Sequence, residues 1–161
     1  MRVSHDPYVV AASFAIALLA SYVTLDLARQ VRSPGHQGRL AWWAAGSVVM
    51  GTGIWSMHFL GMQAFVLPIA IGFAGGLTLL SWLAAVAASG VALELASRET
   101  FGRTQLALGS LAMGAGISGM HYIGMAAMDM APGIVWDYAV VALSVLIAIL
   151  ASAAALLIFK L

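Results

Sequence analysis

The sequence predicts an all-α protein, a polytopic transmembrane bundle of about five helices built from repeated helix pairs, with its N-terminus outside. Hydrophobic residues make up 63% of the 161 residues and charged residues 8%, whereas soluble domains are about half apolar and about a quarter charged. Five apolar stretches are long enough to cross a bilayer core of about 30 Å as helices. A segment of twenty residues also occurs twice, which indicates that the bundle contains a repeated unit.

The five helices are predicted at about residues 7–28, 40–62, 71–96, 105–127 and 137–159. Little of the chain remains outside them, so we predict a single transmembrane domain over residues 1–161. A net charge of +1 without a basic patch argues against a nucleic-acid partner. The chain has no cysteine, which excludes disulfides, thiolate metal sites and thiol nucleophiles.

Basic residues predict how the chain is oriented in the lipid bilayer. They concentrate in the loops after the first and third helices, whereas the opposite side carries mainly acidic residues. By the positive-inside rule the basic loops are cytoplasmic, so the N-terminus lies outside. The residues that distinguish the two sides are Arg29, Arg32, Arg39, Arg98, Arg103 and Lys160 inside, and Arg2, Asp6, Asp129 and Asp137 outside.

The repeated segment reads GSVVMGTGIWSMHFLGMQAF at residues 46–65 and GSLAMGAGISGMHYIGMAAM at residues 109–128, with eleven identities and no gap. The first and fifth helices also match, as DPYVVAASFAIALLAS at 6–21 and DYAVVALSVLIAILAS at 137–152. Self-similarity at a fixed spacing indicates structural repeats. Each unit is therefore predicted to be a helix pair whose second helix returns to the outside and carries a histidine motif near its outer end.

Two units are predicted to be complete, at about residues 1–65 and 69–128, and a third begins at about residue 132 without its return helix. We therefore expect the sequence to be a fragment, or a shortened relative, of a longer protein. The first helix is expected to start at Asp6 and Pro7, because aspartate is a favoured N-cap and proline is favoured at the first helical position.

The two motifs, MHFLGM and MHYIGM, contain the candidate site. His58 and Met62 are four residues apart and therefore lie on one helix face, as do His121 and Met125. Serine and glycine residues at four-residue spacing on both helices allow close helix packing in lipid. Two copies facing each other would bring the histidines together. An intramembrane histidine is costly without partners, so both are candidate functional residues.

Imidazole and thioether groups form a soft to borderline ligand set that suits copper, particularly Cu(I). His5 is predicted at a similar depth at the outer end of the first helix, where it is a candidate third nitrogen ligand. The predicted metal ligands are His58, His121, Met57, Met62, Met120, Met125 and His5.

Several alternatives remain open for these residues. Methionines also fill gaps in helix packing, and the histidines could form hydrogen bonds across helices instead of binding a metal. His58 and His121 are alternatively axial ligands of a b-type haem, and zinc is the alternative metal. Serine–histidine–acid arrangements, phosphate-binding glycine loops and carboxylate pairs near the motifs are absent from the sequence, so we predict that the chain is not an enzyme.

The repeated M-H-x-x-G-M pattern, together with the opening SHDPY, strongly resembles the MHYT domain family of bacterial integral-membrane sensory domains. The resemblance spans essentially the whole chain. It implies a multi-pass domain of the bacterial inner membrane that binds copper through the motif histidines and methionines near the periplasmic face. It further implies that the domain senses a diatomic gas, namely O2, CO or NO.

The resemblance also implies a cytoplasmic signalling output domain, either a cyclic-di-GMP enzyme or a histidine kinase, which we expect outside this chain. The sequence departs from the family pattern at Phe59, where the family has tyrosine, and at Ile123, where it has threonine. A third motif copy, which family members usually carry, is not found here. A homodimer, in which a second chain completes the site, is an open alternative.

Overall fold

The protein is described from a computed structural model, which covers residues 4–32, 38–66, 71–98, 102–131 and 133–160. Consecutive helices pack side by side, so the predicted all-α bundle is confirmed. The elements in chain order are β1 (Ser4–His5), α1 (Pro7–Arg32), α2 (Arg39–Gln63), β2 (Phe65–Val66), β3 (Gly72–Phe73), α3 (Gly75–Ala96), α4 (Arg103–Ala126), β4 (Met128–Asp129) and α5 (Tyr138–Lys160).

The helix boundaries agree with the predicted ones to within a few residues. The largest differences are that α1 continues to Arg32 rather than ending near residue 28, and that α3 begins at Gly75 rather than near residue 71. Residues 72–73 pair with β4 instead of joining α3. The short strands were not predicted, because an element of two residues is too short to show an alternating pattern.

The two strand pairs lie at the same end of the bundle and repeat the same geometry. β1 pairs antiparallel with β2, and β3 pairs antiparallel with β4. A backbone hydrogen bond extends each pair: Asp6 N–H donates to Ala64 O at 2.9 Å, and Ala74 N–H donates to Ala127 O at 2.8 Å. The sequence repeat is therefore also a structural repeat, with a helix pair closed at its outer end by a strand pair.

Carboxylates cap the N-termini of α1 and α5. Asp6 Oδ1 accepts a hydrogen bond from Tyr8 N–H at 2.9 Å, and Asp137 Oδ1 accepts one from Ala139 N–H at 3.0 Å. These bonds satisfy backbone donors that have no partner within the helix. The predicted N-cap role of Asp6 is confirmed, and Asp137 is its equivalent where the third unit is predicted to begin.

Four helical segments in the described part of the chain are long and apolar enough to cross a membrane. They are Pro7–Val31, Gly75–Ala96, Arg103–Ala126 and Tyr138–Ile158. The remaining helix, α2, carries more polar residues, but it has 25 residues and packs along both α1 and α3. Leu18 and Ile147 are 71% and 57% exposed on the surface of the bundle, which suits contact with lipid. The chain is therefore a multi-pass membrane protein.

Glycines on α2 and α4 allow neighbouring helix backbones to touch. A Cβ added to Gly51 would lie 2.6 Å from Cα of Val86 on α3. A Cβ added to Gly114 would lie 2.7 Å from Cα of Ile149 on α5. The predicted close contact of small-residue helix faces is confirmed. These two glycines, however, contact α3 and α5 rather than each other.

A second glycine on each of these helices contacts the preceding helix. A Cβ added to Gly53 would lie 2.6 Å from Cβ of Ala20 on α1, and one added to Gly116 would lie 2.6 Å from Cβ of Ala88 on α3. α2 is thus held closely on both sides by α1 and α3, and α4 is held in the same way by α3 and α5.

Three tryptophan side chains donate hydrogen bonds between α2 and α3, and one of these bonds runs from Trp43 Nε1 to Gly90 O at 2.9 Å. Trp55 Nε1 donates to Ser81 Oγ at 2.9 Å, and Trp82 Nε1 donates to Thr52 Oγ1 at 3.0 Å. Because lipid offers no hydrogen-bond partners, such bonds satisfy polar groups that would otherwise be costly to bury. Trp55 donates from α2 to α3 and Trp82 donates from α3 to α2, so the two bonds together fix the register of α2 against α3.

At the opposite end from the strand pairs, α2 and α3 are joined by an ion-pair network. Arg39 Nη2 lies 2.9 Å from Glu94 Oε2, and Arg98 Nη2 lies 3.1 Å from Glu94 Oε1. Both histidine motifs lie at the other end of the bundle, near the strands. These basic residues and the two histidine motifs therefore lie at opposite ends of the bundle, as the predicted orientation requires.

The predicted orientation is testable because the chain contains no cysteine to interfere with labelling. Val135 is 94% exposed in the segment that joins α4 to α5 at the motif end, and Thr104 is exposed at the start of α4. In intact bacterial cells, we expect a membrane-impermeant maleimide to label Val135→Cys and to label Thr104→Cys only after permeabilisation. The reverse labelling pattern would overturn the orientation.

Gly51→Ala and Gly114→Ala should each destabilise the detergent-solubilised bundle by about 1–3 kcal/mol, because overpacking forces a helix backbone to move. The measurement is the thermal unfolding midpoint followed by size-exclusion chromatography. Gly119→Ala is the matched control on α4, because a Cβ there meets nothing within 4 Å. Equal midpoints for all three variants would contradict the proposed role of the glycine contacts.

Candidate functional site

The C-terminal halves of α2 and α4 bring the two motif histidines into contact. The ring centroids of His58 and His121 are 4.9 Å apart, with an angle of 59° between the ring planes. Each histidine lies in the last two turns of its helix, just before the strand that closes the unit. The expectation that the two motifs face each other is therefore met.

The environment of His58 includes a buried nitrogen without a hydrogen-bond partner. His58 Nε2 has no partner among the described residues, although the atom is buried. It lies against Gly124 of the second motif, where an added Cβ would be 3.2 Å from this nitrogen. A buried polar atom without a partner costs free energy, and the described residues leave this cost at His58 Nε2 without compensation.

The two motif glycines have different surroundings. Gly124 is covered by the imidazole of His58, whereas a Cβ added to Gly61 would meet nothing within 4 Å. Gly61 instead lines the cavity next to the histidines. The two motif copies are therefore similar in sequence and inequivalent in contacts, and the open space lies on the side of the first copy.

Aromatic residues that follow the histidines pack in the same way in both units. The ring of Phe59 lies 5.3 Å from that of Phe73, which precedes α3. The ring of Tyr122 lies 5.5 Å from that of Trp136, which precedes α5. Tyr122 also forms a hydrogen bond with the hydroxyl of Ser144 on α5. These contacts fix the rotation of α2 and α4 at the level of the histidines.

A cavity of about 440 Å³ adjoins the histidine pair. Its walls come from α1, the two motif helices and the connections at the motif end of the bundle. Both imidazoles, one hydroxyl and five thioethers contribute to a lining that contains no carboxylate among the described residues. The lining residues are Ser13, Met57, His58, Gly61, Met62, Ile71, His121, Met125, Met128 and Met130.

Three of the four predicted motif methionines line this cavity, namely Met57, Met62 and Met125. Met120 is only 4% exposed and is not among the lining residues. It is the counterpart of Met57 in the second motif, so equivalent positions of the repeat differ in burial. The two repeats thus present their first methionine to different surroundings.

The structure places His5 on a strand at the end of the bundle that carries the histidine motifs. It lies on β1, where its backbone pairs with that of Phe65, and it is exposed and does not line the cavity. Within the described ranges, no group of three or more histidine, aspartate or glutamate side chains is close enough to hold a metal ion. A metal at the histidine pair would therefore depend on thioethers for its further ligands.

Sequence reasoning missed Met128 and Met130, which line the cavity beside the motif methionines. Both follow the second motif, and Met128 lies in β4. The available signal was the alternation Met-Asp-Met, which places both methionines on one side of an extended segment. That signal could not be recognised because the strand was not predicted.

Two parts of the chain, residues 51–109 and 114–160, match the model of the MHYT family, which is described as a bacterial signalling protein N-terminal repeat. No solved structure matches the chain. The matched regions include both His58 and His121, so the family match covers the histidine pair.

Three relatives that contain a region similar to this chain are signalling proteins. MucR of Pseudomonas aeruginosa, a bifunctional diguanylate cyclase/cyclic di-GMP phosphodiesterase, is 51% identical over 153 residues, which are 95% of this chain and 22% of MucR. The cyclic di-GMP phosphodiesterase NbdA of the same organism is 40% identical over 153 residues, 95% of this chain and 19% of NbdA. The signalling protein YkoW of Bacillus subtilis is 36% identical over 160 residues, 99% of this chain and 20% of YkoW.

The chain thus spans about a fifth of the length of these relatives. The similar region covers at least 95% of this chain in each relative, as the resemblance over essentially the whole chain implied. Both the family match and the relatives lead to the same conclusion: the chain belongs to the MHYT family of bacterial signalling-protein repeats.

Proposed function

We propose that the chain is a membrane input domain that binds copper at His58 and His121 and signals to a cytoplasmic output domain. The observation that carries the proposal is the buried His58 Nε2, which has no hydrogen-bond partner in the described part of the chain and belongs to a ring beside a second imidazole. A cavity rich in methionine adjoins both rings. The sensed stimulus in this proposal is a diatomic gas, namely O2, CO or NO.

The chemistry of the lining favours copper over harder metal ions. Thioether and imidazole ligands suit Cu(I), whereas Mg²⁺ and Ca²⁺ prefer oxygen ligands. Metal–nitrogen bonds are about 2 Å long, and rings with centroids 4.9 Å apart are close enough for one ion to reach a nitrogen of each. Met57, Met62 and Met125 are the motif thioethers available beside them. Bound copper would supply an open coordination position for a small gas.

The alternatives of haem and zinc fit the site less well. A haem ligated by both imidazoles would place its iron and macrocycle between the two rings. The centroids of His58 and His121 are only 4.9 Å apart, so α2 and α4 would first have to separate. Structural zinc sites usually have four nitrogen or thiolate ligands, and this cavity offers two imidazoles and otherwise neutral thioethers.

The proposed signal passes along α2 and α4 towards the cytoplasm of the bacterium, across its inner membrane. Both helices carry a histidine near one end, and the ion pair between Arg39 and Glu94 joins α2 to α3 at the other end. A ligand shifts such a helix arrangement only if it binds one arrangement more tightly than the other. The names of MucR and NbdA support a cyclic-di-GMP enzyme as the output. In this proposal, the membrane domain itself performs no catalysis.

Copper content tests the proposal directly. Protein purified in detergent should retain copper close to one equivalent per chain after exposure to equal copper and zinc, measured by mass spectrometry. The double variant His58→Ala, His121→Ala should lose it, because both imidazoles are removed. His36→Ala is the matched control, since the sequence places this histidine in the SPGHQGR loop. His5→Ala tests the predicted third nitrogen ligand in the same experiment.

Each outcome of that measurement has a defined meaning. Zinc in place of copper would keep the metal site and remove the basis for gas binding at a redox-active ion. Metal absent from both wild type and the double variant would leave the histidines as helix-packing residues. An intense Soret band in the visible spectrum of the purified protein would replace the copper proposal with haem.

Gly124→Ala should weaken copper binding about tenfold, within the range typical for residues that orient metal ligands. The added methyl group would lie 3.2 Å from His58 Nε2 and displace the imidazole. Gly119→Ala is the matched control on the same helix, because its methyl group meets nothing within 4 Å and Gly119 does not line the cavity. Competition with a coloured Cu(I) chelator measures the affinities, and equal affinities for both variants would contradict this role of Gly124.

A further inference from the structure

A groove lies between α2 and α4 at the ion-pair end of the bundle, opposite the end where these helices bring the histidines together. It has a volume of about 560 Å³ and walls from α2, α3 and α4. Both α2 and α4 pack on α3, which therefore forms the floor of the groove. The residues that line this interhelical groove include Trp43, Gly90, Glu94, Arg98, Leu108 and Ala112. None of its lining residues is shared with the histidine cavity.

A tryptophan and several small residues shape the interhelical groove. Trp43 on α2 forms one wall, and its Nε1 donates a hydrogen bond to Gly90 O on α3 at 2.9 Å. A Cβ added to Gly90 would lie 2.9 Å from Cζ2 of Trp43, so the indole packs directly on the α3 backbone. On the other side, Leu108 and Ala112 of α4 line the groove and are exposed. Exposed apolar residues on a membrane helix suit contact with lipid, so the groove is open to acyl chains.

The groove has an apolar end and a charged end. Along α3 it extends from Ala87 to Arg98, which corresponds to about 16 Å along a helix axis. One leaflet contributes about half of the bilayer core, or about 15 Å. The charged and polar lining residues Glu94, Arg98 and Gln105 lie where α3 ends and α4 begins. The groove therefore has the length of one leaflet, with its charged end at the depth of the lipid headgroups.

The charged end has an excess of positive charge. Glu94 forms ion pairs with Arg39 Nη2 at 2.9 Å and with Arg98 Nη2 at 3.1 Å, so two guanidinium groups share one carboxylate. The side chains of Arg39 and Arg98 nevertheless remain 57% and 43% exposed. A guanidinium group has more N–H donors than these contacts use, and its planar fork matches the oxygens of a phosphate. The cluster is thus complementary to a phosphate group at the surface of the bundle.

We propose that the interhelical groove binds an anionic glycerophospholipid, whose phosphate contacts Arg39 and Arg98 and whose acyl chain lies along α3 between α2 and α4. The groove offers this lipid a cationic end for the headgroup and an apolar channel for the chain within the depth of one leaflet. Basic pockets between transmembrane helices bind lipid headgroups through the same chemistry. The bound chain occupies the space between α2 and α4 and therefore sets their separation at this end of the bundle.

Native mass spectrometry of the full chain, released from detergent micelles, tests this site. The probes are phosphatidylglycerol, which is anionic, and phosphatidylcholine with the same acyl chains, which has no net charge. We expect the protein to retain phosphatidylglycerol with an affinity about fivefold higher than that for phosphatidylcholine, the factor that one basic residue contributes at an anionic membrane surface. Glycerol 3-phosphate, which carries the phosphate without acyl chains, should not displace the lipid.

Two variants test the two ends of the groove separately. Arg98→Gln should weaken binding of phosphatidylglycerol about fivefold and leave binding of phosphatidylcholine unchanged, because it removes only a charge. Ala112→Trp should abolish specific retention of phosphatidylglycerol, because a large side chain at this position fills the groove. Arg103→Gln and Ala115→Trp are the matched controls, since both residues are exposed on α4 and do not line the groove. Size-exclusion chromatography establishes that each variant is folded.

Each outcome supports or overturns the lipid site. Equal retention of the two lipids, or wild-type retention of phosphatidylglycerol by either Arg98→Gln or Ala112→Trp, would mean annular lipid contact only and would overturn the proposal. Displacement by glycerol 3-phosphate would replace the lipid with a soluble phosphate compound. The double variant His58→Ala, His121→Ala should retain the lipid as wild type does, so failure of the copper proposal would leave this site intact.

Discussion

Direct contact between helix backbones at Gly51 and Gly114 determines how this bundle is arranged. At both positions the neighbouring helix lies where a side chain would be, so α2 is held against α3 and α4 against α5 at a distance that only glycine permits. Because Gly53 and Gly116 contact the preceding helices in the same way, neither helix can rotate freely. The rotation fixed by these contacts turns His58 towards His121.

Cavities occur at both ends of the bundle, since one of about 560 Å³ is lined by Glu94 and Arg98 near the ion-pair end. Near the ion-pair end, Leu93 is buried with Ala28 and Val31, and Leu95 is buried with Leu156. At the motif end, the helices enclose a cavity of about 440 Å³. Flexible methionine side chains border this space, and they adapt to irregular gaps more easily than branched residues. The candidate site therefore lies where the protein's own side chains leave room for a ligand.

Two nearly identical motifs become inequivalent when they pack together. The imidazole of His58 packs against Gly124, while Gly61 lies beside open space in the cavity. Met57 lines the cavity, while Met120 is buried away from it. A ligand at the pair would thus have different neighbours on its two sides. This asymmetry is consistent with a binding site formed between the repeats rather than within each of them.

Local chain properties made much of this fold predictable. Helix count and the capping of α1 by Asp6 follow from apolar length and capping chemistry, because each depends on residues close together in the chain. The contact between the two histidines was predicted from the sequence repeat. Other features depend on segments about sixty residues apart, such as Gly72 and Asp129. These features are the strand pairs, the packing of His58 against Gly124, the burial of Met120 and the position of Met128. The amino-acid pattern therefore established the membrane bundle and its paired motifs. Helix packing established which thioethers line the cavity beside the imidazoles, because side-chain direction at a helix interface depends on the neighbouring helices.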